Sequence, residues 1–153
     1  RAPLFAAIAV LLAPTVVTKC KLAVAASENK SLPYGFGYQV DSVRQDPTTG
    51  VISLHGPSGL TCATFVLAML DVAGFILLDL ATWQSRPGDD EWKDFVIAEL
   101  ERTGASADHV ESVRRDRSHT RVRPDDVAGG ADVGANVDFD SATRAGAAIR
   151  AAL

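Results

Sequence analysis

The sequence predicts a single α+β domain in which one central apolar helix packs on a small antiparallel sheet. Apolar residues recur at three-to-four spacing through the stretch 60–73, which is typical of a buried helix. Two short β-type runs, 38–43 and 51–55, flank a turn signal at 46–50 and predict a hairpin. A chain of 153 residues, 47% apolar and 22% charged, has the size and composition of one globular domain.

The amino-terminal segment, residues 1–30, is apolar and has two interpretations. Its apolar run from Leu4 to Val17 is shorter than the roughly 20 residues that a membrane-spanning helix needs. We prefer a helix over 4–27, kinked near Pro14 and packed on the core, which favours a cytoplasmic location. The alternative is a signal-like segment, because small residues follow the apolar run; the protein would then be exported.

The middle of the chain adds an amphipathic helix. This helix follows a loop at 86–90 and ends near Gly104. The preceding segment 75–80 is either a strand or a short helix, since periodicity does not decide between them. One face of the amphipathic helix is apolar and is expected to be buried. That face consists of Trp92, Phe95, Val96 and Leu100.

The last third of the chain is predicted to contain a second hairpin and a final helix. The residues at 110–113 and 120–122 fit two short strands joined by a charged segment. Pro124 then opens a polar turn or helix, because proline is favoured at the first helical position. Ser141 is expected to cap an alanine-rich helix over 142–152.

Charge argues against a general nucleic-acid binder. The net charge is −4, whereas phosphate binding depends on a positive surface. Five arginines lie within 114–123, but Asp116 interrupts them, and we interpret them as solvated side chains of an exposed hairpin. The sequence therefore predicts no nucleic-acid partner, and it gives no oligomeric state.

The cysteines and acidic residues do not predict a metal site. Cys20 and Cys62 are the two cysteines, and no Cys/His cluster has metal-ligand spacing. The alternation of Asn136, Asp138 and Asp140 matches only half of a calcium loop, so a helix-capping loop explains it better. We expect no metal and no cofactor, while a disulfide between the two cysteines stays open.

Cys62 is the candidate nucleophile. It falls in the first turn of the predicted central helix, where the helix dipole and free backbone N–H groups favour a thiolate. A thiol nucleophile also needs a base, and the chain offers His55, His109 and His119. The alternative is a buried, structural cysteine, because free Cys is among the most buried residue types.

Two segments near this cysteine resemble a known family. The run Pro-Tyr-Gly-Phe-Gly at 33–37, followed by Gly-Leu-Thr-Cys-Ala-Thr-Phe-Val at 59–66, is similar to the papain-fold cysteine peptidases and amidases of the NlpC type. The resemblance implies a papain-like fold, with the nucleophile on a central helix that packs on a small antiparallel sheet. The similarity is carried by these two segments and extends more loosely as far as the histidines.

The resemblance also implies roles for individual residues. His109, in Asp-His-Val, would open a strand and act as the general base for Cys62, and His119 would orient its imidazole from the facing strand. Tyr34 would line the site near the thiolate and contact substrate. Should His109 not face the thiol, His55 is the next candidate base. Asp116 is then the candidate to replace His119 as the orienting group.

The implied function is a thiol hydrolase that cleaves an amide or peptide bond through an acyl-enzyme on Cys62. An exported protein would act on a peptide of the cell wall, and a cytoplasmic one on a small amide, an isopeptide or a protein side chain. The alternative is a catalytically inactive papain-like domain with a structural Cys62 and a binding or scaffolding role, since fold does not fix function.

Overall fold

The computed structural model describes residues 14–23, 25–26 and 32–152, which form six helices and one two-stranded sheet, an α+β arrangement. In chain order the elements are α1 (14–23 and 25–26), β1 (Val43–Gln45), β2 (Ile52–Leu54), α2 (Cys62–Val72), α3 (Asp89–Arg102), α4 (Ala107–Arg115), α5 (Pro124–Val133) and α6 (Phe139–Ala152). Single 3₁₀ turns lie at Leu80–Thr82 and Asp116–Ser118. The predicted amino-terminal helix before residue 14 lies outside the described residues.

The predicted hairpin at the start of the domain is confirmed, although β1 begins at Val43, where the predicted run 38–43 ends, and β2 is shorter than the predicted run 51–55. β1 and β2 pair antiparallel. The Asp46 carboxylate accepts hydrogen bonds from the backbone N–H groups of Thr48 (2.9 Å) and Thr49 (2.7 Å), which closes the turn. Gly50 ends the turn at φ +74°, a conformation that favours glycine. Local turn chemistry therefore explains why this hairpin could be predicted.

The predicted central helix is also confirmed. α2 packs on β1, and its residues Ala68 and Met69 are completely buried. The helix is followed by Gly74 at φ +80°, as expected of a glycine just after a helix end. The apolar periodicity of the sequence was sufficient here because the helix is buried along one whole side.

α3 matches the predicted helix, but Phe95, which was predicted to lie on its buried face, is exposed. Phe95 is 65% exposed, whereas Lys93 is 3% exposed. The ammonium group of Lys93 donates to the carbonyl oxygen of Arg117 at 2.8 Å, which satisfies the buried charge. The buried side of α3 is therefore turned toward α4, where Val96 and Ile97 pack with apolar side chains of that helix.

The second predicted hairpin is wrong, because residues 107–115 form the helix α4. Val110 and Val113 lie three residues apart and are both buried on the same helical face. Ser106 caps the helix by accepting a hydrogen bond from the backbone N–H of His109 at 3.3 Å. Two valines at this spacing do not by themselves distinguish a helix from a strand. Packing against α3 favours the helix.

The segment 75–80, which was ambiguous in sequence, is extended in its middle. Leu78 forms an isolated parallel bridge with Val137, and the backbone N–H of Asp79 donates to the Val137 carbonyl oxygen at 2.9 Å. A 3₁₀ turn follows directly. The two partners are far apart in the chain, so local periodicity carries no signal for this pairing.

The two last helices pack tightly against each other. α5 begins at Pro124, as predicted. α6 begins at Phe139, so the predicted cap at Ser141 is wrong. Asp138 instead accepts from the backbone N–H of Ser141 at 2.9 Å, which confirms that the alternating acidic residues form a helix-capping loop. None of the helices described is long and apolar enough to cross a membrane.

Candidate active site

Cys62 is exposed and is the first residue of α2. A capping box fixes this end of the helix, with the Thr64 N–H donating to the Thr61 hydroxyl at 3.1 Å and the Thr61 N–H donating to the Thr64 hydroxyl at 2.7 Å. Both threonines are buried, so the start of the helix is rigidly held. The thiol therefore lies on a fixed support, at the helix end that stabilises negative charge.

The loop that contains Tyr34 packs directly on the chain leading into Cys62. The backbone N–H of Leu60 donates to the Pro33 carbonyl oxygen at 3.0 Å. Gly59 lies so close to this loop that a Cβ there would collide with the same carbonyl oxygen. The glycine is required at 59 because two backbones approach each other at this point.

Tyr34, which the sequence assigned to the edge of the site, interacts electrostatically with Cys62. Its side chain is 38% exposed. Partial burial and the neighbouring charge of Cys62 raise the pKa of Tyr34 above its usual value, while Arg121 acts in the opposite direction. The phenol therefore stays protonated at neutral pH and can donate a hydrogen bond at the edge of the site. Tyr34 therefore interacts electrostatically with both Cys62 and Arg121.

His109 contacts the same loop, although from a helix and not from the predicted strand. Its Nε2 atom lies 3.0 Å from the carbonyl oxygen of Tyr34. A carbonyl oxygen can only accept, so Nε2 donates in this contact and Nδ1 is the ring nitrogen that the contact leaves available. The Tyr34 carbonyl oxygen thus fixes the orientation of the His109 ring, whereas the resemblance implied that His119 would contact it.

His119 and His55 lie elsewhere. His119 follows a 3₁₀ turn instead of standing on a facing strand, and His55 is exposed, with Nε2 3.3 Å from the Ser53 hydroxyl. Over the described part of the chain, no hydrogen bond joins Cys62 Sγ to any histidine, so the predicted triad is not assembled in this structure. His119 lines a cavity of about 180 Å³ together with Phe36, Tyr38, Gln39, Val40, Thr64, Leu80, Thr120 and Val122.

Asp116 has a structural contact of its own. Its carboxylate accepts the backbone N–H of Ser58 at 2.7 Å and lies against Gly37. It therefore joins the two loops that precede Cys62. Asp116 was the alternative orienting group for the base, but the contact observed is with backbone, and only its own carbonyl oxygen interacts with His119, by accepting that residue's backbone N–H at 3.0 Å.

Arg121 belongs to the site but was not singled out in the sequence. Its guanidinium lies over the Trp92 ring, 3.9 Å from the ring centroid. Trp92 in turn contacts the Phe36 ring at 5.4 Å, which brings the arginine next to the loop that carries Tyr34. The sequence offered no signal that separated Arg121 from its neighbouring arginines.

Arg121 also adjoins a cluster of buried charges, in which Asp89 is its partner. Asp89 is 1% exposed and accepts from Arg123 at 2.7 Å, and Asp126, also 1% exposed, is held by two hydrogen bonds from Arg86 at 2.7 and 2.8 Å. Burial alone would raise the pKa of Asp89, but hydrogen bonds from Arg123 and the Arg86 backbone outweigh it and hold the pKa below its usual value. Asp89 therefore stays ionised at neutral pH.

The predicted solvated arginine run is thus wrong in part. Arg114, Arg115 and Arg117 are exposed, and Arg117 pairs with Asp94 on the protein surface. Arg121 and Arg123 are 21% and 25% exposed in their side chains and take part in the buried charge cluster. The difference arises because the segment is not a hairpin and turns inward after residue 118.

Both cysteines are free thiols. Cys20 lies on α1, half-buried against the core, and burial raises the pKa of its thiol. The disulfide that the sequence left open is therefore not formed. Across the residues that the structure describes, no group of three His, Cys, Asp or Glu side chains is arranged to hold a metal ion.

Comparisons with protein-family models, with curated proteins and with solved structures gave no match for this chain.

Proposed function

We propose that the protein is a thiol hydrolase that cleaves an amide or peptide bond through an acyl-enzyme on Cys62. The observation that carries this proposal is an exposed cysteine at the first position of a rigidly capped helix, with a tyrosine beside it. A cysteine kept only for packing is normally buried and inert. The exposure of Cys62 argues against the alternative in which this residue is structural.

The chemistry follows from the atoms at the helix start. The Cys62 thiolate attacks the carbonyl carbon, and the oxygen gains negative charge close to the backbone N–H groups of Cys62 and Ala63, which have no acceptor inside the helix. The amine leaves with a proton supplied by an imidazolium. Water then hydrolyses the thioester, which releases the carboxylic acid and restores the thiol.

His109 is the base we propose for this reaction. It contacts the loop beside Cys62, and its Nδ1 is the ring atom free to exchange a proton. The packing of α2 on β1 supports a papain-like arrangement around the nucleophile. His109 on α4 departs from the strand position of the NlpC-type family, so the proposal relies on the cysteine and not on the family.

A binding domain without catalysis is the second candidate. It is favoured by one observation, which is that Cys62 forms no hydrogen bond with a histidine within the described residues. In that case the surface around Tyr34 and Arg121 would hold a ligand without cleaving it. The two candidates differ in the reactivity of the thiol and in turnover.

Alkylation of the folded protein by iodoacetamide at neutral pH is the first test of the nucleophile. We expect Cys62 to be modified at least about tenfold faster than Cys20, because the Cys20 pKa is raised by burial and its thiol is partly covered. Intact-mass and peptide mass spectrometry measure the two rates, with Cys62→Ala as the control. A Cys62 rate no higher than that of Cys20 or of a free cysteine would reject an activated nucleophile.

Substitution of the histidines tests the base. With p-nitrophenyl acetate as a general acyl donor, we expect His109→Ala to lower turnover by about a hundredfold or more. His119→Ala and His55→Ala are the matched controls and should change turnover by less than about threefold, because among the described residues neither ring forms a hydrogen bond with Cys62 or Tyr34. A larger loss in either control than in His109→Ala would reassign the base, and absence of turnover in the wild type would favour the binding domain.

A further inference from the structure

The surface beside Cys62 carries a positive charge that is held in place by aromatic packing. The loop 33–37 connects the start of α2 with Trp92. Its Pro33 carbonyl oxygen binds the chain just before α2, and its Phe36 ring contacts the Trp92 ring. The guanidinium of Arg121 lies over the same Trp92 ring. Trp92 beneath Arg121 and the chain leading into Cys62 therefore contact the same loop, and Tyr34 of that loop interacts electrostatically with both Arg121 and Cys62.

The charge of Arg121 is only partly compensated by its neighbours, because Arg121 shares Asp89 with two other arginines. The cluster behind it contains three arginines and two aspartates, a formal charge of 3 − 2 = +1. Asp126 binds Arg86 with two hydrogen bonds, and Asp89 binds Arg123 at 2.7 Å. Arg121 is 3.6 Å from the same Asp89 oxygen, which is farther than the 2.7 Å of Arg123 and beyond hydrogen-bonding distance.

The hydrogen-bonding capacity of Arg121 is also unused. A guanidinium has five N–H donors, yet within the described part of the chain the Arg121 side chain donates no hydrogen bond. Its side chain is 21% exposed, so the donors are open to solvent on one side. Stacking on Trp92 limits its movement, and the cost of ordering it for a ligand is correspondingly small.

A carboxylate fits this arrangement best. Guanidinium binds carboxylate with two parallel N–H donors in one plane. The protonated Tyr34 hydroxyl, which interacts electrostatically with both Arg121 and Cys62, supplies a further donor. An anion bound there would place the neighbouring atoms of the same molecule beside the thiol.

We propose that Arg121 is the specificity-determining residue of the Cys62 site and binds a free carboxylate of the substrate, close to the amide bond that is cleaved. This proposal rests on the proposed function for the cleavage step. The carboxylate recognition itself concerns only the surface next to the thiol, so it can be measured without any turnover.

Iodoacetate and iodoacetamide provide the probe, because they alkylate the same sulfur and differ in carrying a carboxylate or a neutral amide. The quantity measured is the ratio of the iodoacetate rate to the iodoacetamide rate at Cys62, normalised to free cysteine in the same solution. We expect this ratio to fall about fivefold in Arg121→Gln, the size expected for loss of one partly exposed ion pair. Arg121→Lys should recover part of it.

Arg117→Gln is the matched control, since Arg117 lies on the same segment but pairs with Asp94 at the surface. Its ratio should equal that of the wild type. An unchanged ratio in Arg121→Gln, with the fold intact by circular dichroism, would overturn the proposal. Absence of ester turnover in the wild type, together with the expected fall of the ratio in Arg121→Gln, would instead reject the hydrolase and leave the carboxylate site standing.

Ionic strength gives a second readout that needs no variant. The chain as a whole has a net charge of −4, so screening its overall field would make iodoacetate react faster as salt is added. Added salt also screens the local attraction between iodoacetate and Arg121. This effect is opposite and lowers the normalised ratio. A fall at Cys62 but not at Cys20 supports the site, and a rise at both cysteines contradicts it.

Discussion

Replacing Asp126 with alanine is expected to lower the free energy of unfolding by about 3–5 kcal/mol, because it removes one partner of a buried ion pair. Asp126 is 1% exposed and accepts two hydrogen bonds from Arg86 and one from the backbone N–H of Arg123. Without the carboxylate, the largely covered guanidinium of Arg86 loses its main counter-charge. Urea denaturation followed by circular dichroism measures the change, with the m-value checking that unfolding stays two-state.

The neighbouring carboxylate provides the control. Asp125 pairs with Arg150 at 2.8 Å, and the Arg150 side chain is 64% exposed. Asp125→Ala is therefore expected to cost no more than about 1 kcal/mol, as for most surface ion pairs. Equal losses for Asp125→Ala and Asp126→Ala would mean that the buried cluster contributes no more than the surface pair. A typical domain has about 5–15 kcal/mol of stability in total, so the difference is easily measured.

Gly129→Ala should destabilise the protein by about 2 kcal/mol or more, because it forces apart two helices that touch through their backbones. A Cβ at Gly129 would collide with the carbonyl oxygen of Ala142 and with the backbone nitrogen of Gly146 on α6. Alanine normally stabilises a helix by about 1 kcal/mol relative to glycine. Propensity alone therefore predicts the opposite sign, and thermal unfolding distinguishes the two.

Gly130→Ala is the matched substitution on the same helix. Its Cβ would meet a side-chain carbon of Leu78 at 2.5 Å, and the tip of a leucine can move whereas a backbone cannot. We expect a loss of less than about 1 kcal/mol, since the gain in helix propensity offsets part of the repacking. A Gly129→Ala protein as stable as the wild type would show that α5 and α6 do not need their close approach.

Much of the first half of the domain followed from local signals. The turn at Asp46 and the apolar period of α2 each depend on residues a few positions apart, and both elements occur where the sequence placed them. The valines at 110 and 113 are the contrasting case. Their spacing fits a strand start as well as one helical face, and only contact with α3 decided for the helix.

For the candidate site, the sequence by itself determined the position of Cys62 at a helix start and the glycine loop that contains Tyr34. Only the tertiary structure decided that Arg121 stacks on Trp92 next to the loop, that His109 reaches the loop from a helix, and that His119 lines a cavity with Phe36 and Thr64. Caps and turns are encoded by neighbouring residues, so a sequence displays them directly. Charge pairing and the direction of a histidine ring depend on segments brought together by packing of the whole core, and no local pattern records them.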